Sequence, residues 1–345
     1  AALPDAASAD EQSKRSVALT NIGDVMYWQG DLTGALEKYQ AALAIRQRLA
    51  ATDPTSARWQ REVSVSHEKV GNVVRDQGDA MAALAEYRAS LVIREALAAI
   101  PTEDPTPTSE TRQQDLLVGH ALVGDVLLAQ GDTAGALAEH QISLTIAQLL
   151  AAKHPTDTEH QLDLSVAQEK LGNTLLAQGD TASALASYRA SLAIGEALAA
   201  NAPTNVNWQH ALWNGHDKVG NVLEQQGDGT GALVEYRAAL AIAEALATQD
   251  STNARHQRAV AAGHDRIGAV RLAQGDSAGA LAEFRAAKTI TATLAARDPS
   301  DAILQRGVAI GDYQIAAALL AGGDQVGALA EYRASADVNP FDPEV

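Results

Sequence analysis

The sequence of 345 residues contains no cysteine. That excludes disulfides, a thiolate nucleophile and cysteine-ligated metal, and it leaves the redox compartment open. Basic charge is scarce: 26 Lys and Arg stand against 43 Asp and Glu, a formal charge of −17 with a pI near 4.8. A phosphate backbone would have to bind against the mean field of such a molecule, so nucleic acid is not an expected partner. Long apolar runs are missing too. The longest near the end, Ile315 to Ala321, is too short to span a bilayer, and no charged-then-apolar leader opens the chain. Catalytic signatures are absent: there is no GxxxxGK[ST] and no HExxH. Gly227-Asp228-Gly229-Thr230-Gly231 follows a helical pattern where a phosphate loop should follow a strand. No cofactor, no metal and no intrinsic catalysis are expected. The compartment expected is the cytoplasm, although Ala1 in place of Met leaves a removed leader or a longer parent chain open.

What the sequence does contain is a repeated turn. Gln29-Gly30-Asp31 returns at Gln77, Gln130, Gln178, Gln226 and Gln274, and as Gly322-Gly323-Asp324. Successive glycines of this turn stand 48 residues apart, with one interval of 53, so one supersecondary unit is copied seven times. Units of that size bury their faces against neighbours and need no single globular core. The expected organisation is one solenoid domain over 1–345, with repeats of about 8–53, 54–105, 106–154, 155–202, 203–250, 251–298 and 299–345.

Each unit reads as a helical hairpin. A good N-cap opens the first helix of every copy, helix A: Ser8, Ser56, Ser109, Asp157, Asn205, Asn253 and Asp301. Helix A runs to the glycine of the turn, which can take the left-handed conformation that ends a helix. The Asp that follows caps the second helix, helix B, whose apolar residues recur at helical spacing, as at Leu84, Tyr87 and Leu91. Helix B ends before Asp53-Pro54, His154-Pro155, Ala202-Pro203 or Asp298-Pro299, because proline cannot extend the hydrogen-bond ladder. The long interval comes from a proline- and threonine-rich insertion between Ile100 and Ser109, read as an exposed, protease-sensitive loop.

Three further positions fall at fixed spacing. Gly23, Gly71, Gly124, Gly172, Gly220 and Gly268 precede the turn glycine by seven. Ala35, Ala83, Ala136, Ala184, Ala232 and Ala280 come twelve after them, and Tyr39, Tyr87, His140, Tyr188, Tyr236 and Phe284 sixteen after. This pattern resembles the tetratricopeptide repeat over about residues 8 to 345. It departs from the short family form by lengthening both helices, closer to the long-helix repeats of kinesin-light-chain type; only the last copy, with Ala316, Ala328, Tyr332 and Pro340, returns to the short form. The resemblance implies an all-α fold, an α-solenoid of seven helical hairpins in a right-handed superhelix. Ala1-Ala2-Leu3-Pro4 resembles the tail of a preceding helix B, so a longer array is an expectation.

Aligned copies make columns. Gln12, Gln60, Gln113, Gln161, Gln209, Gln257 and Gln305 fall four residues after the N-cap and read as structural amides. His67, His120, His216 and His264 share a slot with Gln168 and Asp312. Equivalent atoms in adjacent hairpins are about 10 Å apart, too far for chelation, so packing is the reading. His210/His216 and His154/His160 are six apart and not on one helical face. A third column lies one residue after the helix A glycine: Asp24, Asn72, Asp125, Asn173 and Asn221, then Ala269 and Ala317. Glu68, Glu169, Asp217 and Asp265 precede it by four, and Lys69, Lys170, Lys218 and Arg266 by three, which places all of them on one helical face.

In the tetratricopeptide family this face lines the concave groove, where Asn or a basic residue grips an extended peptide. The resemblance thus implies groove candidates Asp24, Lys69, Asn72, Asp125, Lys170, Asn173, Lys218, Asn221 and Arg266; the alternative is an ordinary solvated face. Fading of the column in the last two repeats argues that the fold does not require it. Recognition of acidic peptides would need a net basic groove, and the family's two-carboxylate clamp is only partly matched by Lys69, Asn72, Lys170 and Asn173. Tyr27 and Trp28 at the first turn read as end-of-groove anchors, while Trp59 and Trp208 read as packing between repeats. The expected function is a scaffold that binds a peptide or partner protein in the groove. The alternatives are a regulatory sensor arm of a larger signalling protein, or homo-oligomeric assembly through the solenoid ends.

Overall fold

The computed structural model describes residues 8–100 and 109–336. Ala1 to Pro4, residues 101–108 of the insertion and Pro340 lie outside the described residues.

Among the described residues there are fourteen helices and no strand, in two compact units divided after Asp180. The first unit holds α1 (Ala9–Trp28), α2 (Leu32–Thr52), α3 (Ala57–Asp76), α4 (Ala80–Ala98), α5 (Ser109–Ala129), α6 (Thr133–Lys153) and α7 (Thr158–Ala177). The second holds α8 (Thr181–Asn201), α9 (Val206–Gln225), α10 (Gly229–Gln249), α11 (Ala254–Ala273), α12 (Ser277–Arg297), α13 (Ala302–Ala321) and α14 (Gln325–Ala336). Within each unit every helix packs on the next in chain order, the arrangement of an α-solenoid.

The helix ends lie where the capping chemistry puts them. Ser8 accepts from the Glu11 amide while Glu11 reaches back to the Ser8 amide, a reciprocal capping box. Ser56, Asp157, Asn205, Asn253 and Asp301 cap their helices through side-chain oxygens in the same position. Ser109 departs from the expectation: it is the first residue of α5 itself, and the residue before it lies outside the described residues.

Each turn glycine has φ between +79° and +89°, a conformation that a Cβ would strain. Around it, Gly30 donates to Tyr27 O at 3.0 Å and Asp31 to Met26 O at 2.9 Å, the paired bonds of a Schellman motif. The Asp31 carboxylate then accepts from the Gly34 amide at 2.8 Å. One residue therefore finishes helix A with its amide and starts helix B with its side chain.

Two devices hold hairpins together. The helix A glycine is a bed for the helix B aromatic: a Cβ on Gly71 would lie 2.6 Å from the Tyr87 ring, and Gly23, Gly220 and Gly268 stand equally close to Tyr39, Tyr236 and Phe284. The glutamine column is structural as expected. Gln60, Gln161, Gln209 and Gln257 donate their side-chain amides to the carbonyls of Pro54, Pro155, Pro203 and Ser251, tying each helix A start to the loop before it.

Candidate functional site

The polar column of helix A is built into the hairpins. Asp24 accepts from the Tyr39 hydroxyl and from Lys69 Nζ, each at 2.6 Å. Asn72 Oδ1 accepts from the Tyr87 hydroxyl at 2.7 Å, and Asn221 Oδ1 from Tyr236 at 3.0 Å. Asp125 pairs with Lys170 at 2.5 Å and with His140 Nε2 at 3.3 Å. In the second unit Lys218 lies over the Tyr188 ring, while Arg266 sits 3.4 Å from Asp217 and over the Tyr236 ring. Asn173 is half-buried on α7.

These bonds supply a reason for Ala269 in the column but not for Ala317, whose repeat has Tyr332. The repeat with Ala269 is the one whose aromatic is Phe284, which has no hydroxyl to donate. The column residues at Asp24, Asn72 and Asn221 thus bond the helix B tyrosines of their own hairpins. Their titration reflects the same contacts. Burial raises the Asp24 carboxyl, but hydrogen bonds from Lys69 and Tyr39 outweigh it and hold the group below the ordinary carboxylate range. At Asp125 burial is likewise overcome by His140 and Lys170. Burial pushes the Tyr87 phenol up to about 12, so it stays a proton donor.

Three candidates meet in one place. Asp24, Lys69 and Asn72, together with Tyr27, Trp28 and Tyr39, line a cavity of about 230 Å³ at the end of α1. Trp28 is 84% exposed and makes an edge contact with Tyr27 at a centroid distance of 5.9 Å. The Tyr27 hydroxyl is anchored by Asp76 on the next helix A, and Lys69 Nζ stands 5.6 Å from the Tyr39 ring centroid. An exposed indole, a phenol, an ion pair and a carboxamide therefore converge within two hairpins. A larger hollow of about 870 Å³ against α12 is lined mainly by Ala, Thr and Arg side chains, and its Lys288 is already bridged between Asp312 and Glu331.

The histidine column has partners that the sequence reading missed. His67, His120, His216 and His264 each bond through Nδ1 to a glutamate nineteen residues on, Glu86, Glu139, Glu235 and Glu283, at 2.6 to 2.7 Å. The signal was present: the glutamate sits in every copy that has the histidine, and Gln168 is followed at that distance by Ser187. The histidines six apart do not share a helical face, yet two histidine pairs form by other routes. His154 and His160 stack at 5.2 Å because the loop after α6 folds one onto the other, and His210 meets His256 of the following helix A with Nε2 atoms 3.3 Å apart. Spacing along one helix says nothing about such contacts across a loop or between repeats. Among the described residues no group of three or more His, Cys, Asp or Glu is placed to hold a metal ion.

The sequence profile of the family described as "Tetratricopeptide repeat" matches residues 16–54, which span most of α1 and all of α2. Those two helices carry Gly23, Ala35 and Tyr39, a pattern that returns with tyrosine at Gly71, Ala83 and Tyr87 and at Gly220, Ala232 and Tyr236. The α1–α2 hairpin matches the tetratricopeptide repeat. No curated protein matches this chain. Among solved structures, this chain is similar to the apo form of RapI, at 15% identity over 94% of this chain and 97% of that one, with a TM-score of 0.58. It is also similar to BtubC (BKLC) from P. vanneervenii, at 18% identity over 75% and 92% with a TM-score of 0.55. A Rap protein complexed with Competence and Sporulation Factor aligns at 12% identity over 96% and 77%, TM-score 0.52. At these identities the likeness is one of fold.

Proposed function

We propose that this chain is a protein-interaction scaffold whose principal contact is the cavity at the end of α1, where it takes an extended peptide segment of a partner protein. The observation that carries the reading is the convergence of Trp28, Tyr27, Asp24, Lys69 and Asn72 on one cavity. Trp28 offers a large, rigid, amphipathic surface for a side chain, the kind of anchor that dominates binding energy at interfaces. The Tyr87 bond uses the oxygen of the Asn72 carboxamide, so its amide hydrogens can donate to a peptide carbonyl. The Asp24–Lys69 pair presents both signs of charge side by side, which suits a peptide unit or a zwitterionic pair better than a purely acidic ligand. Asp125, Lys170, Asn173, Lys218, Asn221 and Arg266 extend the reading along helix A faces of the two units as secondary contacts.

The fold is shared with a Rap protein solved in complex with Competence and Sporulation Factor, which supports a binding role for a scaffold of this kind. The experiment is a selection of random displayed peptides on the immobilised chain, repeated on Trp28→Ala. Peptides enriched on the parent chain and lost on the variant support the cavity; enrichment of the same peptides on both sinks it.

A further inference from the structure

His210 near the start of α9 and His256 near the start of α11 meet across two consecutive hairpins of the second unit. Their Nε2 atoms stand 3.3 Å apart, with ring centroids 5.1 Å apart and planes inclined by 41°. A tetrahedral zinc ion with Zn–N bonds of about 2.0–2.1 Å holds two imidazole nitrogens about 3.3–3.4 Å apart and their ring centroids about 5.2 Å apart, since both rings point at the metal. Two rings meeting head on in a straight N–H···N hydrogen bond, at the same nitrogen separation, have centroids about 5.6 Å apart. Both separations in the pair match the bite of a chelate.

The repeat does not require two imidazoles at this joint. The same two slots hold Ser13 and Trp59, Arg61 and Arg112, or Arg258 and Leu304 in other pairs of neighbouring copies. His256 is buried and His210 half-buried, so the pair is held on one side and reached by solvent from the other. Arg255 and Asp250 are nearby charges of opposite sign, the first acting on His210 and the second on His256. Burial, with Arg255 and His256, lowers the His210 imidazole from 6.5. At neutral pH that ring is therefore uncharged, the form in which histidine binds a metal.

We propose that His210 and His256 form a two-histidine chelate for a divalent cation of the zinc type, with water in the other two positions of the tetrahedron. The ion cross-links the first helices of the fifth and sixth hairpins near their N-terminal ends. Two imidazole nitrogens select zinc, nickel or copper(II) over magnesium and calcium, which take oxygen ligands. The site shares no residue with the lining of the peptide cavity.

Calorimetric titration of the full chain with zinc chloride at neutral pH tests this, using wild type, His210→Gln, His256→Gln and His154→Gln. The tightest zinc site of the wild type is expected to weaken at least tenfold in His210→Gln and in His256→Gln. His154→Gln, which removes a ring from the other histidine pair, is expected to bind zinc as the wild type does. Magnesium chloride is expected to give no binding heat over the same range. His210 is half-buried, so circular dichroism of His210→Gln should be unchanged; should His256→Gln lose helix, His210→Gln and His210→Lys carry the test. Absence of zinc binding by the wild type would overturn the proposal. So would equal zinc affinity in wild type and His210→Gln, or a tenfold loss in His154→Gln, which would place the tightest site elsewhere.

Discussion

Asp265 lacks the partner that its counterpart one repeat earlier keeps. Asp217 meets Arg266 at 3.4 Å, whereas the residue one repeat after Arg266 is Gln314. Oδ1 of Asp265 is buried without a hydrogen-bond partner, and burial pushes the carboxyl up to about 6 against the opposing influence of His264 and Arg266. Between the ordinary value of 3.8 and about 6 the folded state therefore holds more protons than the unfolded one. Stability falls as pH rises through that window, and the loss is complete above it. Asp265→Asn is expected to stabilise the chain by about 1–2 kcal/mol at neutral pH and to make little difference near about pH 4. Thermal unfolding of both proteins across that range checks the sign. At the same scale, Tyr87→Phe and Asn72→Ala are expected to be non-additive by about 1 kcal/mol in a double-mutant cycle read by urea unfolding. Strict additivity would mean that their hydrogen bond contributes nothing to the fold.

At the scale of the element, the hairpin turn concentrates most of the local determinants. Asp79→Ala is expected to cost about 1 kcal/mol, since it removes the acceptor for the Ala82 amide. Gly71→Ala sets two effects against each other: alanine gains about 1 kcal/mol of helix propensity, while its Cβ would collide with the buried Tyr87 ring at 2.6 Å. The ring has no room to retreat, so a net loss of about 1–3 kcal/mol is expected from chemical denaturation. Turn and helix boundaries were legible in the sequence because Ser, Asn, Asp, Gly and Pro act on the backbone within a few residues of themselves. Gln29-Gly30-Asp31 is the clear example. Contacts between elements were not legible in the same way. The glutamates that partner His67 and His120 lie nineteen residues away across a hairpin, and His210 reaches His256 in the next repeat. The groove candidates were found by spacing, but spacing did not reveal that Asn72 and Asn221 answer tyrosine hydroxyls, nor that Lys69 reaches back to Asp24. Those pairings depend on which faces the helices turn to each other.

For the whole molecule the governing quantity is a formal charge of −17. No described helix is long and apolar enough to cross a membrane. Salt screens charges beyond about 8–10 Å at physiological strength. Binding of a charged peptide beside Asp24 and Lys69 is therefore expected to weaken as salt is raised, which a titration of affinity against ionic strength checks. The cavity at the end of α1 remains the centre of the functional account. Its most direct test is the affinity of peptides selected on the wild-type chain, measured by calorimetry on wild type, Trp28→Ala and Lys69→Ala. Loss of at least tenfold in affinity on each variant, with helix content unchanged, is the expected result; equal affinity for all three proteins would contradict the account.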